Sequence, residues 1–242
     1  MQEPVLPSWL KDEFNYVHKP AIRAGQRGRG SGGTLLLINK NLKFQTLLAE
    51  DTHIFIELEI SQENIVIGCM YLNSNCNVFN VFENISLSLS HVFDDLENKK
   101  ILIVGDMNSH IGELGTLDES VVFGTCLSAK RTSKHKNVET RGEELLSCTE
   151  NLGLSVLNGR TIGDIPAQLT FIDTREKQTG ENYESSVLDL IFCNVTMMPD
   201  IHRMEVLDTI HTSHHLPVTL TCILPCLGET QESQDTRHNT GI

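Results

Sequence analysis

The chain has 242 residues and a 39% hydrophobic composition, with 19 Lys+Arg against 32 Asp+Glu, a formal net charge of −13. That length suits one domain, since layered and barrel folds run to about 250 residues as single units. The acidity argues against a general polyanion binder, whose affinity rests on Lys and Arg neutralising phosphates. No run approaches the roughly 18–20 apolar residues of a bilayer span, and residues 1–14 (MQEPVLPSWLKDEF) lack the basic start and apolar stretch of a secretory signal. Seven scattered cysteines without a CxxC pair fit reduced thiols in a nuclear or cytoplasmic protein.

Taken in chain order, residues 21–33 (AIRAGQRGRGSGG) read as a Gly- and Arg-rich loop. Strands follow at 34–38 (TLLLI), 53–60 (HIFIELEI) and 65–72 (IVIGCMYL). In the second of these Ile54, Ile56, Leu58 and Ile60 make one wholly apolar face, and His53, Phe55, Glu57 and Glu59 a mixed one. Residues 78–96 carry Phe79, Phe82, Ile85, Leu89, Val92 and Phe93 at helical spacing, and 142–151 (GEELLSCTEN) read as a second helix ended by Gly153. Further strands are predicted at 100–104, 154–157, 169–172, 187–193 and 216–224, and residues 227–242 read as a polar tail. Strands outnumber helices and no repeat is present, which predicts a layered α/β sandwich of mostly antiparallel sheets with flanking helices, one domain over 1–226.

Three places can carry chemistry. In KILIVGDMNSHIG (100–112) a buried strand runs into Asp106 and Asn108, which project to one side and suit a hard divalent cation and a phosphate oxygen; Gly-Asp-Met-Asn is equally good turn chemistry. Asp189 interrupts the apolar run SSVLDLIFCN (185–194), so it needs a partner or a wet face. In TIHTSHHLPVTL (209–220), His211, His214 and His215 precede the last strand, where an imidazole can serve as general acid or base, and where a plain polar turn is the alternative. A zinc site is disfavoured because adjacent His214 and His215 point opposite ways on a strand.

The ordered set GDMN, SVLDLIF and SHHLPV resembles the endonuclease/exonuclease/phosphatase superfamily, with its GDFN or GDLN turn, hydrophobic-D-hydrophobic strand and SDHxPV. RGRGSGGTLLLI, GCMYLNSN, TRGEELLSCTENLGLSVLNGR and LTFID extend the resemblance from about Gly28 to Leu224, most similarly to the endonuclease domains of non-LTR retrotransposons. The resemblance implies a four-layer α/β sandwich of the DNase I-like type and metal-assisted attack of water on a phosphodiester, with Mg²⁺ (or Mn²⁺) and DNA as partners. It assigns Asp106 to the attacking water, Asn108 to the scissile phosphate, Tyr71 to a position near that phosphate (a packing tyrosine being the alternative), and Asp189 to the support of a catalytic His215. Arg29, Arg141 and Thr170 fall on further substrate-contacting positions. Glu3 of Gln2-Glu3 matches the metal-binding Glu, with a surface Glu as the alternative.

The chain also departs from that pattern. His214 stands where the family has an Asp at the metal site; a second register would make His214 the catalytic histidine, and Pro217 favours the first. The family's first strand, with its Asn, and the strand leading into Gln-Glu have no counterpart, so the sandwich is expected to lack N-terminal strands. The function implied is a metal-dependent DNA endonuclease of impaired activity; the alternatives are an inactive member kept as a binding module and a phosphoesterase on a small substrate. A basic stripe from Arg23, Arg27, Arg29, Lys130, Arg131, Lys134 and Lys136 would favour DNA.

Overall fold

A computed structural model describes residues 4, 6–21, 32–173, 185–208 and 213–224. The elements in chain order are helix α1 (Ser8–Glu13), strands β1 (Phe14–Lys19), β2 (Thr34–Asn39), β3 (Lys43–Ala49), β4 (His53–Ile60) and β5 (Glu63–Tyr71), helix α2 (Val78–Val92), β6 (Lys100–Asp106), helices α3 (Glu119–Val122) and α4 (Thr140–Asn151), then β7 (Leu154–Val156), β8 (Asp189–Asn194), β9 (Ile201–Val206) and β10 (Val218–Cys222). Six strands form one sheet in the order β3-β4-β5-β6-β8-β7, antiparallel except for the parallel β5–β6 pair that α2 connects.

Strand alternation sorts this sheet into two apolar faces. On one, Phe55, Val66, Met70, Ile101, Ile103, Leu190 and Phe192 pack against Val78, Phe82, Ile85 and Leu89 of α2 and Leu145 and Leu146 of α4. Of the stripe predicted on α2 from its spacing, Phe82, Ile85 and Leu89 are buried, whereas Phe79 and Val92 are exposed; Asn77 caps the helix by accepting Asn80 N–H at 2.9 Å. On the other face, Ile54, Ile56 and Leu58 meet the β1–β2 ladder, while Leu102, Ile191 and Cys193 meet Ile201 and Met204 of the β9–β10 ladder. The layers are therefore helices, six-stranded sheet and a second strand layer. Among the described residues the two ladders of that layer are separate sheets, and Ile60 and Ile67, which touch both clusters, are only half-buried.

Several expectations need correction. Residues 169–172 are not a strand; Phe171 makes only single bridges, to Ser186 and His215. The helix predicted at 78–96, α2, stops at Val92 and is followed by a 3₁₀ turn at Leu96–Asn98. Strands β1, β3 and β9 were not predicted: β1 is half-buried throughout, and β3 is an edge strand of mixed polarity. Residues 22–31 of the loop predicted at 21–33, and the tail at 227–242, lie outside the described residues. No helix among the described residues is long and apolar enough to cross a membrane.

Candidate active site

The second apolar face of the sheet ends in a polar row. Register pairs Ile67 with Leu102 and Leu102 with Cys193, then Cys69 with Val104 and Val104 with Ile191, and finally Tyr71 with Asp106 and Asp106 with Asp189. Directly paired residues share a face, so Tyr71, Asp106 and Asp189 stand side by side where β5 and β6 end and β8 begins. Asp189 is thus the first residue of its strand and not a charge inside the core, and its side chain is 23% exposed.

Gly105 makes the row possible. A Cβ there would lie 1.9 Å from Met70 O on β5, so no larger residue could precede Asp106 at this strand spacing. After Asp106 the chain turns through Asn108 in the left-handed region (φ 44°), a conformation asparagine tolerates better than most residues. Asn108 N–H donates to Asp106 Oδ1 at 3.0 Å, and Asn108 Nδ2 donates to Asp106 Oδ2 at 3.1 Å and to Leu72 O at 2.8 Å. Turn chemistry and site chemistry coexist in these two residues. Met107, between them, is fully buried on the helix side.

His215 arrives from the segment before β10. Its N–H donates to Ser213 Oγ at 3.1 Å, and Phe171 lies edge-on to its ring at 5.0 Å. Nδ1 lies 2.8 Å from Asp189 Oδ2 and Nε2 3.8 Å from Asp106 Oδ2. The hydrogen bond to Asp189 raises the imidazole pKa above its ordinary value. Burial, and then the charge of Asp189, raise that of Asp106. One ligand atom from each of Asp106, Asp189 and His215 lies within 4.8 Å of the other two. Two carboxylates held together against their repulsion are the donor set a hard divalent cation relieves, so the residues fit such an ion.

The other candidates are placed as follows. Tyr71 is half-buried in the row. Thr170 is fully buried, and its Oγ1 accepts the N–H groups of Leu188 and Asp189, both at 3.0 Å; it supports β8 from inside and presents no surface to a substrate. Arg141 is likewise turned inward, donating to Cys76 O at 2.8 Å and Asn73 O at 2.9 Å, so it braces the loop after Tyr71. His214 does not join the cluster. Its Nδ1 lies 3.2 Å from Ile172 O, because neighbours on an extended segment face opposite ways. Glu3 and Arg29 lie outside the described residues, as do His211, Arg23 and Arg27.

Of the described residues of the basic stripe, Lys130, Lys134 and Lys136 are exposed and Arg131 is not. Arg131 is 1% exposed, donating Nε–H to Asn158 O at 2.7 Å, with burial lowering its pKa to about 10, and Lys136 pairs with Glu113. Asn158, which the sequence shows only as part of the stretch TRGEELLSCTENLGLSVLNGR and to which it assigns no role, is also fully buried and donates to the main chain of Asp189.

Among known structures, the endonuclease domain of TRAS1, a telomere-specific non-LTR retrotransposon, matches with a TM-score of 0.57 at 18% identity, over 86% of this chain and 80% of that chain. The AP endonuclease LMAP from Leishmania major matches at 0.55 and 10% identity, over 88% and 72%. The 3′ phosphatase NExo from Neisseria, bound to a product DNA hairpin, matches at 0.51 and 14%, over 90% and 82%. At these identities the likeness is one of fold, the DNase I-like sandwich. No curated protein matches the chain. Residues 65–219, which include Tyr71, Asp106, Asp189 and His215, match the family described as endonuclease-reverse transcriptase, and the chain belongs to that family, within the endonuclease/exonuclease/phosphatase superfamily.

Proposed function

We propose that the protein is a divalent-metal-dependent phosphodiesterase that nicks DNA; the retrotransposon domain it is similar to is named an endonuclease. The observation that carries this reading is the convergence of Asp106, Asp189 and His215 at the end of one sheet face. Asp106 would orient the attacking water. Asn108 is tied into the Asp106 turn by both N–H groups of its carboxamide, and it would bind a phosphate oxygen by exchanging its bond to Asp106 for one to the substrate. Asp189 fixes the ring of His215, whose Nε2 is left toward Asp106 and the phosphoryl group. Asp106 and Asp189 would hold the cation, Mg²⁺ or Mn²⁺, which supplies electrostatic stabilisation of the developing phosphoryl charge.

The inward-turned Arg131 and Arg141 and the net charge of −13 favour a second reading, the same hydrolysis on a small phosphoester. One experiment addresses both. The purified protein is incubated with supercoiled plasmid, and separately with a small chromogenic phosphodiester, with Mg²⁺ or Mn²⁺ and with EDTA. Nicking that needs the metal and vanishes in Asp106→Ala is the expected outcome; hydrolysis of the small ester without nicking selects the second reading. Nicking that persists in EDTA, or in Asp106→Ala, overturns the mechanism.

A further inference from the structure

We propose that Asn158 is a positioning residue of this site: its carboxamide holds the main chain of Asp189 so that the carboxylate meets His215. The proposal rests on Asp189 and His215 as the working pair of the proposed function.

The β7–β8 ladder ends with Leu157 N–H donating to Ile191 O at 2.7 Å. At the next residue the side chain takes over from the backbone. Asn158 Nδ2 donates to Asp189 O at 3.1 Å and Asn158 Oδ1 accepts Ile191 N–H at 2.9 Å, the pairing that a residue of a parallel strand makes across from Leu190. The carboxamide is fixed from behind. Asn158 O accepts from the buried Arg131 Nε, Gly159 N–H donates to Asp164 Oδ2 at 3.0 Å, and a Cβ at Gly159 would lie 2.2 Å from Thr132 O. The N–H of Asp189 goes to Thr170 Oγ1, so at Asp189 two buried side chains make the bonds a neighbouring strand would otherwise make. The lateral position of Asp189 is therefore set by Asn158 and Thr170, one residue's width from a hydrogen bond of 2.8 Å to His215.

The far end of β8 supplies an internal comparison. Asn194 uses the same device, with Oδ1 accepting Ile101 N–H at 3.0 Å and Nδ2 donating to Lys99 O at 2.7 Å, and it is 6% exposed. Asn194 sits in β8 and braces the start of β6, away from the site, whereas Asn158 braces β8 beside it. If both were merely structural, truncating either would have the same kind of effect.

The test compares Asn158→Leu and Asn194→Leu in the full chain. Thermal melts measure the structural loss. Nitrogen-15 histidine NMR, without metal or substrate, follows the His215 Nδ1–H resonance, assigned by its disappearance in Asp189→Asn. Plasmid nicking gives kcat and KM. Both variants are expected to melt lower, with only Asn158→Leu losing the downfield, exchange-protected Nδ1–H resonance and dropping kcat by roughly tenfold or more at near-constant KM, the signature of a misplaced group. Retention of the resonance in Asn158→Leu, or its equal loss in Asn194→Leu, overturns the proposal. Should Asn158→Leu fail to fold, Asn158→Ser, which removes the carboxamide and leaves room for water, is read by the same resonance. Because that readout needs no turnover, a parent protein that keeps the resonance and does not nick overturns the proposed function alone.

Discussion

Gly105 links the packing of the sheet to the geometry of the site, and Gly105→Ala is expected to damage both. The new Cβ would stand 1.9 Å from Met70 O, with Met70 C at 2.7 Å and Met70 N at 2.9 Å, all backbone of the paired strand. Restoring an ordinary carbon–oxygen contact of about 3.3 Å requires a displacement of about 1.4 Å. Nothing flexible can absorb it, so the ends of β5 and β6 must part, and these ends carry Tyr71 and Asp106. A shift of about 1 Å at a reacting group is worth roughly 100-fold in rate. Overpacking of this kind costs about 1–3 kcal/mol, or ~2–12 °C in Tm at ~2–4 °C per kcal/mol for a chain of this size. Gly124→Ala is the comparison: Gly124 has φ +76° and nothing within 4 Å of a Cβ, so alanine meets only backbone strain. Differential scanning fluorimetry and plasmid nicking are run on both. Gly105→Ala should melt lower than Gly124→Ala by the stated interval and lose nicking, while Gly124→Ala nicks at the parental rate. A Gly105→Ala protein that melts with Gly124→Ala, or that nicks normally, refutes the reasoning.

Two further predictions concern charge. The raised pKa of His215 means its ion pair with Asp189 contributes stability below the unfolded value of about 6.5 and loses it as pH rises through the folded pKa. The difference in Tm between the parent and Asp189→Asn should therefore be largest near pH 6 and shrink toward pH 9; using the difference cancels other groups, such as Asp164, whose pKa burial pushes up to about 6. A difference constant across that range contradicts the assignment. Arg160 is fully buried and donates to Val156 O at 2.7 Å, Ala129 O at 3.0 Å, Ser128 O at 3.2 Å and Gly115 O. Arg160→Met removes a costly buried charge but takes the donor from Val156 O, Ser128 O and Gly115 O, Ala129 O keeping the Leu117 N–H at 3.0 Å, and the second effect should win by at least ~3 kcal/mol, a Tm loss of roughly 6–12 °C; a melt within about 2 °C of the parent would show that those carbonyls find other donors.

How much of this was legible in the sequence depends on what each residue's partners are. Strands β4, β5 and β6 and helix α2 bury apolar faces, and apolar periodicity is what a single sequence displays. β1 and β3 were not visible because one is half-buried along its whole length and the other is an edge, and neither needs a clean alternation. Asp106, Asp189 and His215 were legible as an ordered set, and the register that lines up the first two follows from strand ends lying at Tyr71 and Asp106. Thr170 and Asn158 were legible as residues and not as roles, since a buried hydroxyl or carboxamide bonded to a strand's main chain leaves no periodic trace. His214 shows the reverse case: the family pattern pointed to the metal, and the alternation of an extended segment turned it to Ile172.

The buried arginines change what the composition implies. Of the 19 Lys and Arg, Arg131 and Arg160 are enclosed among backbone carbonyls and Arg141 is bound to Asn73 and Cys76. Lys43, Lys99, Lys136 and Arg203 pair with Glu59, Glu57, Glu113 and Glu205, and Lys100 with Glu63 and Asp200. Eight cations are thus already committed, so the excess of 13 negative charges understates how little positive charge the described residues present to a polyanion. Sequence-independent attraction to DNA scales with the phosphates neutralised, each contributing about 0.9 to the slope of log K against log salt. The proposed nuclease, with this charge distribution among its described residues, would hold its substrate through contacts at the scissile phosphate more than through a basic track. The weight of binding, as well as of chemistry, would then fall on Tyr71 and the cation that Asp106 and Asp189 would hold, and on the buried side chains that keep this row aligned.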